Sequence, residues 1–490
     1  MYNLFELLKG IEYRLSEYKN EKIYVTGVAH DSREVLPGNI FICIKGKKKD
    51  GFSYIKEAEK RGARVIICEN TYNYKLKNAV FVTVKNIRKT YAQVISNMYG
   101  NPSEKMKIVG VTGTNGKTTV CLMIAAGIKA AGKKCAVIGT LGAYFEGKKT
   151  DTDTLTTPDP ELLYKLLKEY ADAGAEYVVM EASSHSIELD KLEGIQFACG
   201  AITNLTPEHL DFHGNMENYY KAKKKLFERC DAGVFMIDDE YTSKMYREAK
   251  CRIRSSCSVE IPSSDYYCRI NFCSLAKGCN LTITHCGKSA EYFSPVPAEF
   301  TASNVLLAAA VLDCLGIKSA DAVKGIASLD NIPGRMEKIG TDGDFEIYID
   351  FAHTPDALEK LLTGINHLKR DGQRVVTLFG CGGDRDKSKR QIMGKVASAL
   401  SDLVIITSDN SRSEKTSDII KEIEKGVDKS KPYLIIENRE KAIEYAVDNA
   451  AEGDIILLCG KGHENYEIDM KGKREFSEKE IVQRLLKENK

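Results

Sequence analysis

The sequence has little net charge and no long hydrophobic run. Lysine and arginine exceed aspartate and glutamate by only two in 490 residues, so no strongly basic surface indicates nucleic-acid binding. No apolar run approaches the ~20 residues that span a bilayer, and residues 1–20 lack the apolar core of a signal peptide. We therefore expect a cytoplasmic protein that neither spans a membrane nor binds nucleic acid.

The cysteine pattern also excludes some classes of protein. None of the fifteen cysteines forms a C-x-x-C pair, and their number is odd. A disulfide framework or a cysteine-rich zinc site would need paired or closely spaced cysteines. The sequence therefore predicts reduced, mostly buried thiols.

The order of apolar and amphipathic segments predicts an α/β fold. Short apolar runs alternate with amphipathic stretches and no segment repeats, which is typical of α/β proteins with parallel sheets. The length favours about three domains, and turn residues at 99–102 and 331–334 suggest the boundaries. We expect an N-terminal α/β domain at residues 1–100, a central domain with a mainly parallel sheet at 101–332, and a Rossmann-like C-terminal domain at 333–490.

An apolar strand in the central region runs into a glycine-rich turn that opens a helix. Such a turn aims backbone N–H groups at phosphates, a lysine reaches the outer phosphates, and a hydroxyl can bind Mg²⁺. The usual G-x-x-x-x-G-K-[ST] pattern is missed because Val111 replaces its first glycine. The predicted phosphate-binding residues are Gly113, Thr114, Asn115, Gly116, Lys117, Thr118 and Thr119.

Four apolar strands of the last domain each end in a polar loop. Ligands of open α/β sheets bind beyond the carboxyl ends of the strands, so four such loops predict one shared site. The loops comprise residues 351–355, 380–386, 408–412 and 460–464. Two polar residues of the central domain, Glu181 and His209, also follow apolar strands.

Glu181 and His209 are candidate metal ligands. A nucleotide-bound Mg²⁺ usually takes one or two protein carboxylates, which favours Glu181, although it could be only the polar end of a strand. Imidazole is not the hard oxygen donor that Mg²⁺ prefers, so the residues alone support His209 less well.

Eight short segments together resemble one enzyme family. The chain resembles the Mur ligases of peptidoglycan synthesis along essentially its whole length, with three domains in family order. Two motifs, GCGGDRD and GKGHE, are typical of the branch that adds the third amino acid of the peptide. The matching segments are residues 112–119, 181–185, 203–205, 209–211, 334–337, 350–355, 380–386 and 460–464.

The resemblance implies an ATP-dependent amide ligase of cell-wall synthesis. ATP would phosphorylate the D-glutamate γ-carboxylate of UDP-N-acetylmuramoyl-L-alanyl-D-glutamate, and the amine of a diamino acid would attack the acyl phosphate. Arg412 favours meso-diaminopimelate, because an arginine can pair with its distal carboxylate. The alternatives are L-lysine or another amino acid, a non-catalytic nucleotide-binding relative, and a generic P-loop NTPase.

The resemblance also implies roles for individual residues of the ATP site. Asn304 would face adenine, and Arg335 and Asp350 would bind ATP from the hinge and the last domain. Thr118, Glu181 and His209 would hold Mg²⁺, and Lys223, if carbamylated to N-carboxylysine, would bind a second Mg²⁺. In the alternative interpretation Lys223 belongs to the solvated face of a lysine-rich helix. The residues expected to serve catalysis are Lys117, His209 and Lys223.

The same resemblance implies which residues contact the other two substrates. We also expect the protein to be a monomer. The N-terminal domain would bind UDP. The UDP-muramoyl dipeptide would contact Ser32, Thr156, Thr157, Ser184 and Lys191. The amino-acid acceptor would contact Arg385, Asp409, Asn410, Arg412, Gly460 and Glu464.

Several positions depart from the family pattern. Ser411 replaces a proline of the acceptor loop, and Leu189 and Lys191 replace a glutamine and an arginine that hold the nucleotide substrate. Lysine lacks the planar fork of arginine, which affects the expected grip on this substrate. Glu208 replaces the aspartate that usually precedes His209.

Overall fold

The computed structural model describes residues 1–16, 22–46, 49–71, 74–150, 152, 155–341 and 344–488. The chain divides into two compact units. The first unit comprises Met1–Gly110, Lys134–Gly200 and Ala222–Asp231, and the second comprises Val111–Lys133, Ala201–Lys221 and Ala232–Lys490. The three domain ranges expected from the sequence stay a prediction.

The strands and helices alternate along most of the chain. The strands are β1 Tyr2–Asn3, β2 Tyr13–Leu15, β3 Tyr24–Val25, β4 Val28–Ala29, β5 Ile40–Ile42, β6 Val65–Cys68, β7 Val80–Val84, β8 Lys107–Thr112, β9 Cys135–Gly139, β10 Gly142–Phe145, β11 Lys148–Thr150, β12 Tyr177–Glu181, β13 Phe197–Ile202, β14 Cys230–Met236, β15 Ile253–Ser258, β16 Tyr266–Ser274, β17 Gly278–His285, β18 Lys288–Ser294, β19 Glu337–Ile339, β20 Glu346–Asp350, β21 Val375–Phe379, β22 Leu403–Ile406, β23 Tyr433–Ile435, β24 Ile455–Cys459, β25 Tyr466–Asp469 and β26 Gly472–Glu475. The α-helices are α1 Leu4–Leu7, α2 Ile55–Lys60, α3 Ile87–Met98, α4 Lys117–Ala130, α5 Pro160–Asp172, α6 Ser184–Glu188, α7 Leu210–His213, α8 Met216–Lys224, α9 Glu240–Glu248, α10 Thr301–Cys314, α11 Ser319–Ala327, α12 Pro355–Leu368, α13 Ser388–Leu400, α14 Thr416–Glu424, α15 Arg439–Asp448 and α16 Glu478–Glu488. Short 3₁₀ helices comprise Ser32–Glu34, Gly51–Tyr54, Pro102–Lys105 and Lys225–Arg229.

Among its described residues the first unit contains the antiparallel strand pair β1-β3 and two larger groups of paired strands. One has the order β2-β7-β6-β5-β4 and is parallel except for β2. Its core includes Phe41, Ile66 and Phe81. In the other sheet β9 and β12 are parallel neighbours, and β10 and β11 continue it antiparallel. The α/β class expected for these segments is confirmed.

The second unit includes the sheet of the last domain, with the order β19-β20-β24-β21-β22-β23. Strands β20 to β24 run parallel, and β21 and β24 are buried along their whole length. Continuous apolar strands are typical of a parallel sheet covered on both faces. Leu358 and Met393 lie in the core on one face, and Ile443 and Val482 lie in the core on the other. The expected Rossmann-like architecture is therefore confirmed.

Helix α12 begins at a proline. Pro355 lies in the first turn of α12, and Thr354 caps it by accepting a hydrogen bond from the N–H of Ala357, as a proline in the first turn allows.

Most cysteines are buried, as expected, but Cys273 and Cys279 form a disulfide between paired positions of β16 and β17. The expectation that all thiols are reduced is wrong for this pair, because strand pairing brings together cysteines that their spacing does not connect.

No helix among the described residues combines the length and the apolar character that crossing a membrane requires.

Candidate active site

The predicted phosphate loop lies between β8 and α4 in the second unit. Gly113 has φ +139° and Gly116 has φ +84°, a region that residues with a side chain rarely adopt. A Cβ on Gly113 would lie 1.8 Å from Thr203 Oγ1, and one on Gly116 would lie 2.5 Å from Asn304 Oδ1. The loop therefore requires glycine at both positions for its conformation and for its close packing.

Several hydrogen bonds from the segment after β13 hold this loop in place. The N–H of Thr114 donates to the carbonyl of Asn204 at 2.9 Å, and the N–H of Asn115 donates to Asn204 Oδ1 at 2.9 Å. Thr203 Oγ1 donates to the carbonyl of Asn115 at 2.6 Å. Hydrogen bonds thus join the motif residues that follow β8 to those that follow β13.

The side chains of the phosphate loop occupy distinct positions. Lys117 Nζ donates to the carbonyls of Gly113 at 3.0 Å and Thr114 at 2.8 Å, so the ammonium lies over the loop. Thr118 and Thr119 are buried in the first turn of α4. A helix N-terminus with a nearby ammonium attracts phosphate.

Residues of the last domain contact the phosphate loop directly. Arg335 Nη2 donates to Thr118 Oγ1 at 3.3 Å. Asp356, in the first turn of α12, accepts hydrogen bonds from Asn115 Nδ2 at 2.9 Å and from Thr206 Oγ1 at 3.2 Å. Two parts of the second unit that are far apart in sequence therefore meet at the loop.

Asp350 organises the segment that carries Arg335. Its carboxylate accepts hydrogen bonds from the N–H groups of Met336 and Ala352, each at 2.8 Å. Burial raises the pKa of Asp350, although the charge of Arg335 opposes this effect. The guanidinium of Arg335 lies 4.5 Å from the ring centroid of Phe351, which is within cation–π distance. The structure thus brings Arg335 and Asp350 together, and their expected contact with ATP stays a prediction.

Glu208 lies between two histidines. Its carboxylate is 3.2 Å from His353 Nε2 and 3.6 Å from His209 Nε2. Burial alone would raise the pKa of Glu208, but His209, His353 and Lys117 outweigh burial and lower it. His209 itself is in the left-handed conformation, φ +56°, immediately before α7. Glu208 therefore connects the candidate metal ligand His209 to the last domain.

Asn304 is buried on α10 beside Gly116. This position brings it to the phosphate loop. Its expected contact with adenine stays a prediction.

Glu181, in the first unit, is almost fully buried at the end of β12. Its carboxylate accepts hydrogen bonds from Thr140 N at 2.8 Å and Thr140 Oγ1 at 3.1 Å. Thr140 Oγ1 is 3.2 Å from Thr156 Oγ1, and Thr157 Oγ1 donates to the carbonyl of Glu181 at 2.8 Å. The candidate metal ligand Glu181 and two candidate dipeptide contacts therefore form one cluster.

The other candidate substrate contacts also lie in the first unit. Ser32 is buried and its hydroxyl donates to Glu57 Oε2 at 3.0 Å. Ser184 is buried at the start of α6. Lys191 pairs with Asp159 at 2.6 Å, two residues beyond Thr157. Lys191 thus lies beside the threonine segment although it replaces the arginine of the family pattern.

Lys223, on α8, is 1% exposed, whereas the side chain of Lys221 is 64% exposed. A lysine on a solvated helix face would be exposed. The alternative that assigned Lys223 to such a face is therefore wrong for this residue, because α8 turns it inward.

The donor chemistry of two residues fits Mg²⁺. Thr118 offers a hydroxyl oxygen at the start of α4 and Glu181 offers a carboxylate, which are the hard oxygen donors that this cation prefers. Among the described residues there is no group of three or more His, Cys, Asp and Glu side chains arranged to hold a metal ion. The assignment of the metal ligands stays a prediction.

The candidate acceptor residues meet at the carboxyl edge of the last sheet. A Cβ on Gly460 would lie 2.9 Å from Asp409 Oδ2, and Asn410 Nδ2 donates to Glu464 Oε2 at 2.8 Å. Burial raises the pKa of Glu464, and the nearby charge of Asp409 raises it further. Residues of the loops after β22 and β24 thus contact one another at this edge, and their role in binding the acceptor stays a prediction.

Arg412 and Arg385 both lie beside Gly382, where a Cβ would be 2.9 Å from Arg412 Nη1 and 3.8 Å from Arg385 Cγ. Arg412, at φ +52°, donates from Nη1 to the carbonyls of Gly383 at 2.9 Å and Asn410 at 3.1 Å. Burial lowers the pKa of Arg412, and the neighbouring Arg385 lowers it further. Two guanidiniums close to each other attract an anion.

Sequence reasoning did not assign roles to several residues that the geometry brings to these sites. Asp356 and Thr206 contact the phosphate loop, and Lys461 lies among the acceptor residues. Lys461 lies in the GKGHE motif, and Asp356 follows the proline at the start of α12. These two positions are signals in the sequence, but neither indicates which residue is contacted.

Comparison with known proteins adds three matches to family models. The chain matches "Mur ligase family, catalytic domain" over residues 24–106, "Mur ligase middle domain" over 111–312, and "Mur ligase, glutamate ligase domain" over 334–462.

Individual proteins are similar over nearly the whole chain. The UDP-N-acetylmuramoyl-L-alanyl-D-glutamate--2,6-diaminopimelate ligase of Clostridium perfringens (strain 13 / Type A) is 39% identical over 487 residues, which cover 99% of each chain. A solved structure of a ligase with the same name is 29% identical, has a TM-score of 0.67 and is covered at 95% in both chains. The MurF ligase from Thermotoga maritima in complex with ADP has a TM-score of 0.62 and covers 96% of this chain and 99% of its own, but its 19% identity shows the fold alone.

Proposed function

The chain belongs to the Mur ligase family, and on this premise we propose that it adds meso-diaminopimelate to UDP-N-acetylmuramoyl-L-alanyl-D-glutamate. The bond formed is an amide between the D-glutamate γ-carboxyl group and an amine of the diamino acid. ATP is the co-substrate, and the product is a precursor of peptidoglycan. Two observations support the proposal: the phosphate loop bound by the last domain, and the mixed charges of the acceptor site.

The contacts of the phosphate loop support the ATP half of the reaction. A γ-carboxylate oxygen attacks the γ-phosphorus of ATP, the bond to the β-phosphate oxygen breaks, and an acyl phosphate and ADP result. Lys117 and Arg335 are cations next to the loop and would neutralise the transferred phosphoryl group. Asp350 would hold the Arg335 segment in place from the last domain.

We propose Mg²⁺ as the metal, held by Thr118 and Glu181 with His209. When bound it would neutralise phosphate charge. We also propose that Lys223 is carbamylated, because it is buried on α8 instead of lying on a solvated helix face; its amine nitrogen would add to carbon dioxide and lose a proton. The carbamate is an anion able to bind a second Mg²⁺.

The acceptor site supports a diamino dicarboxylic acid as the second substrate. Its amine attacks the carbonyl carbon of the acyl phosphate, the amine loses a proton, and phosphate leaves. Arg412 and Arg385 suit a carboxylate, and Asp409 and Glu464 suit an ammonium group. L-Lysine, the main alternative acceptor, has no distal carboxylate for Arg412 to bind.

In the first unit, Ser32, Thr156, Thr157, Ser184 and Lys191 would bind the UDP-muramoyl dipeptide. The cluster of Thr140, Thr156 and Thr157 around Glu181 supports a dipeptide site next to a metal ligand. We further propose that the protein is a cytoplasmic monomer with domains at residues 1–100, 101–332 and 333–490.

The test is an assay of the purified protein with ATP, Mg²⁺ and the UDP-muramoyl dipeptide. Phosphate release should depend on an added diamino acid, and mass spectrometry of the products should show meso-diaminopimelate incorporated in preference to L-lysine. Equal or greater incorporation of lysine would contradict the acceptor assignment. Phosphate release without any acceptor would favour a generic NTPase, and no turnover with any acceptor would favour a non-catalytic relative.

A further inference from the structure

Lys461 is a buried lysine among the candidate acceptor residues. It follows β24 and its side chain is fully buried, 0% exposed. Its Nζ donates to the carbonyl of Tyr466 at 2.8 Å and to Asn410 Oδ1 at 3.2 Å, and it lies 3.8 Å from Glu464 Oε2. Burying an amino group is costly unless it is paired and hydrogen-bonded, so these contacts stabilise the buried side chain in this position.

Lys461, together with a backbone N–H group, fixes how the amide of Asn410 is oriented. Asn410 Oδ1 accepts from Lys461 Nζ and also from the N–H of Ile468 at 2.9 Å. Two donors on this oxygen leave Nδ2 to donate, and it donates to Glu464 Oε2. The lysine therefore acts on Glu464 through the amide of Asn410.

Glu464 has a second support that also involves Lys461. The hydroxyl of Tyr466 donates to Glu464 Oε1 at 3.2 Å, while the carbonyl of the same tyrosine accepts from Lys461. Lys461, Asn410, Glu464 and Tyr466 thus form a closed ring of contacts. The negative charge of Asp409 is also balanced here, because Lys461 contributes to lowering the pKa of Asp409 against the effect of burial.

We infer that Lys461 is a positioning residue for the diamino-acid acceptor, which orients Asn410 and Glu464 without contacting the acceptor itself. This inference rests on the proposed function, since it assigns Asn410 and Glu464 to the acceptor site. A residue that holds substrate-binding groups in place affects the geometry in which the substrate binds. Small displacements of such groups lower turnover strongly.

The test separates acceptor binding from the phosphoryl step in the full-length protein. In Lys461→Met, KM for meso-diaminopimelate should rise by about tenfold or more, whereas KM for ATP should stay within about twofold. Hydroxylamine, which attacks the acyl phosphate without needing the acceptor site, should give hydroxamate at the wild-type rate. Lys471→Met, an exposed lysine in the turn between β25 and β26, is the matched control and should leave every constant unchanged.

The outcomes distinguish this inference from the proposed function. An unchanged KM for the diamino acid in Lys461→Met, with wild-type hydroxamate formation intact, would overturn the inference alone. Absence of hydroxamate in the wild-type protein would instead contradict the acyl phosphate and hence the proposed function. If Lys461→Met does not fold, Lys461→Gln keeps a buried hydrogen-bond donor but is too short to reach both Asn410 Oδ1 and the carbonyl of Tyr466. The same selective rise in KM is expected, and an unchanged KM in that variant would also overturn the inference.

Discussion

Gly116→Ala tests whether the phosphate loop depends on the conformation seen in the structure. Gly116 has φ +84°, where an L-residue costs roughly 1–2 kcal/mol. The new Cβ would also lie 2.5 Å from Asn304 Oδ1, closer than nonbonded atoms can approach, so the asparagine must move. If the variant loop must return to the native conformation when ATP binds, at a total cost of about 2 kcal/mol, the affinity for ATP falls roughly thirtyfold.

The assay is isothermal titration calorimetry with ATP and Mg²⁺. Gly132→Ala is the matched control, because Gly132 also has positive φ, +73°, but a Cβ there meets no atom within 4 Å. It should carry backbone strain at the end of α4 and leave ATP affinity unchanged.

A double variant separates strain from collision. Asn304→Ala removes the atom that the new Cβ would meet, so adding it to Gly116→Ala should cost less than the sum of the two single changes. ATP affinity of Gly116→Ala within about twofold of wild type, or strict additivity of the two changes, would refute the reasoning.

Three further predictions concern the acceptor, a first-unit ion pair and Lys223. Arg412→Lys should raise KM for meso-diaminopimelate about tenfold or more because it loses the fork that binds a carboxylate, with KM for ATP unchanged; unaltered steady-state kinetics would contradict the role of Arg412. His30 is 3.5 Å from Glu161; Glu161 raises the pKa of His30 against burial, and His30 and Tyr91 lower the pKa of Glu161 although burial opposes them. The contribution of His30 to stability is therefore lost as pH rises through its raised pKa. The contribution of Glu161 is lost as pH falls through its lowered pKa. The pair should therefore stabilise the protein most between pH 4.5 and 6.5. Glu161→Gln should lower the His30 pKa measured by NMR on histidine-labelled protein, and an unmoved titration would rule out the pairing. If Lys223 is carbamylated, turnover should fall in carbon-dioxide-free buffer and recover with bicarbonate, and activity independent of bicarbonate would argue against the modification.

The sequence predicted those features of the sites that depend on local order along the chain. Parallel strands place their carboxyl ends at one edge, so polar loops after β20, β21, β22 and β24 could be expected to share a site. The phosphate loop could also be predicted from the sequence, because its glycines, lysine and threonines are adjacent in the chain. The resemblance to a family added roles that spacing alone does not indicate.

Partners that are distant in sequence could not be predicted in this way. Asn115 and Asp356 are 241 positions apart, and no pattern in either segment names the other. The burial of Lys223 could not be predicted either, because the lysine-rich segment is typical of a solvated helix face. Only the packing of α8 decides which lysine points inward. The pairing of Cys273 with Cys279 required the register of β16 on β17.

Ser411 replaces the proline that would stiffen the acceptor loop, but the structure holds the loop by other means. The N–H of Arg412 donates to the carbonyl of Ile468 at 3.0 Å, and the N–H of Ile468 donates to Asn410 Oδ1 at 2.9 Å. The N–H of Gly383 donates to the carbonyl of Asn410 at 2.9 Å. Strand β25 on one side and the loop after β21 on the other therefore fix the residues that flank Ser411. Because backbone hydrogen bonds on both sides supply this rigidity, the loss of the proline is no argument for a different acceptor.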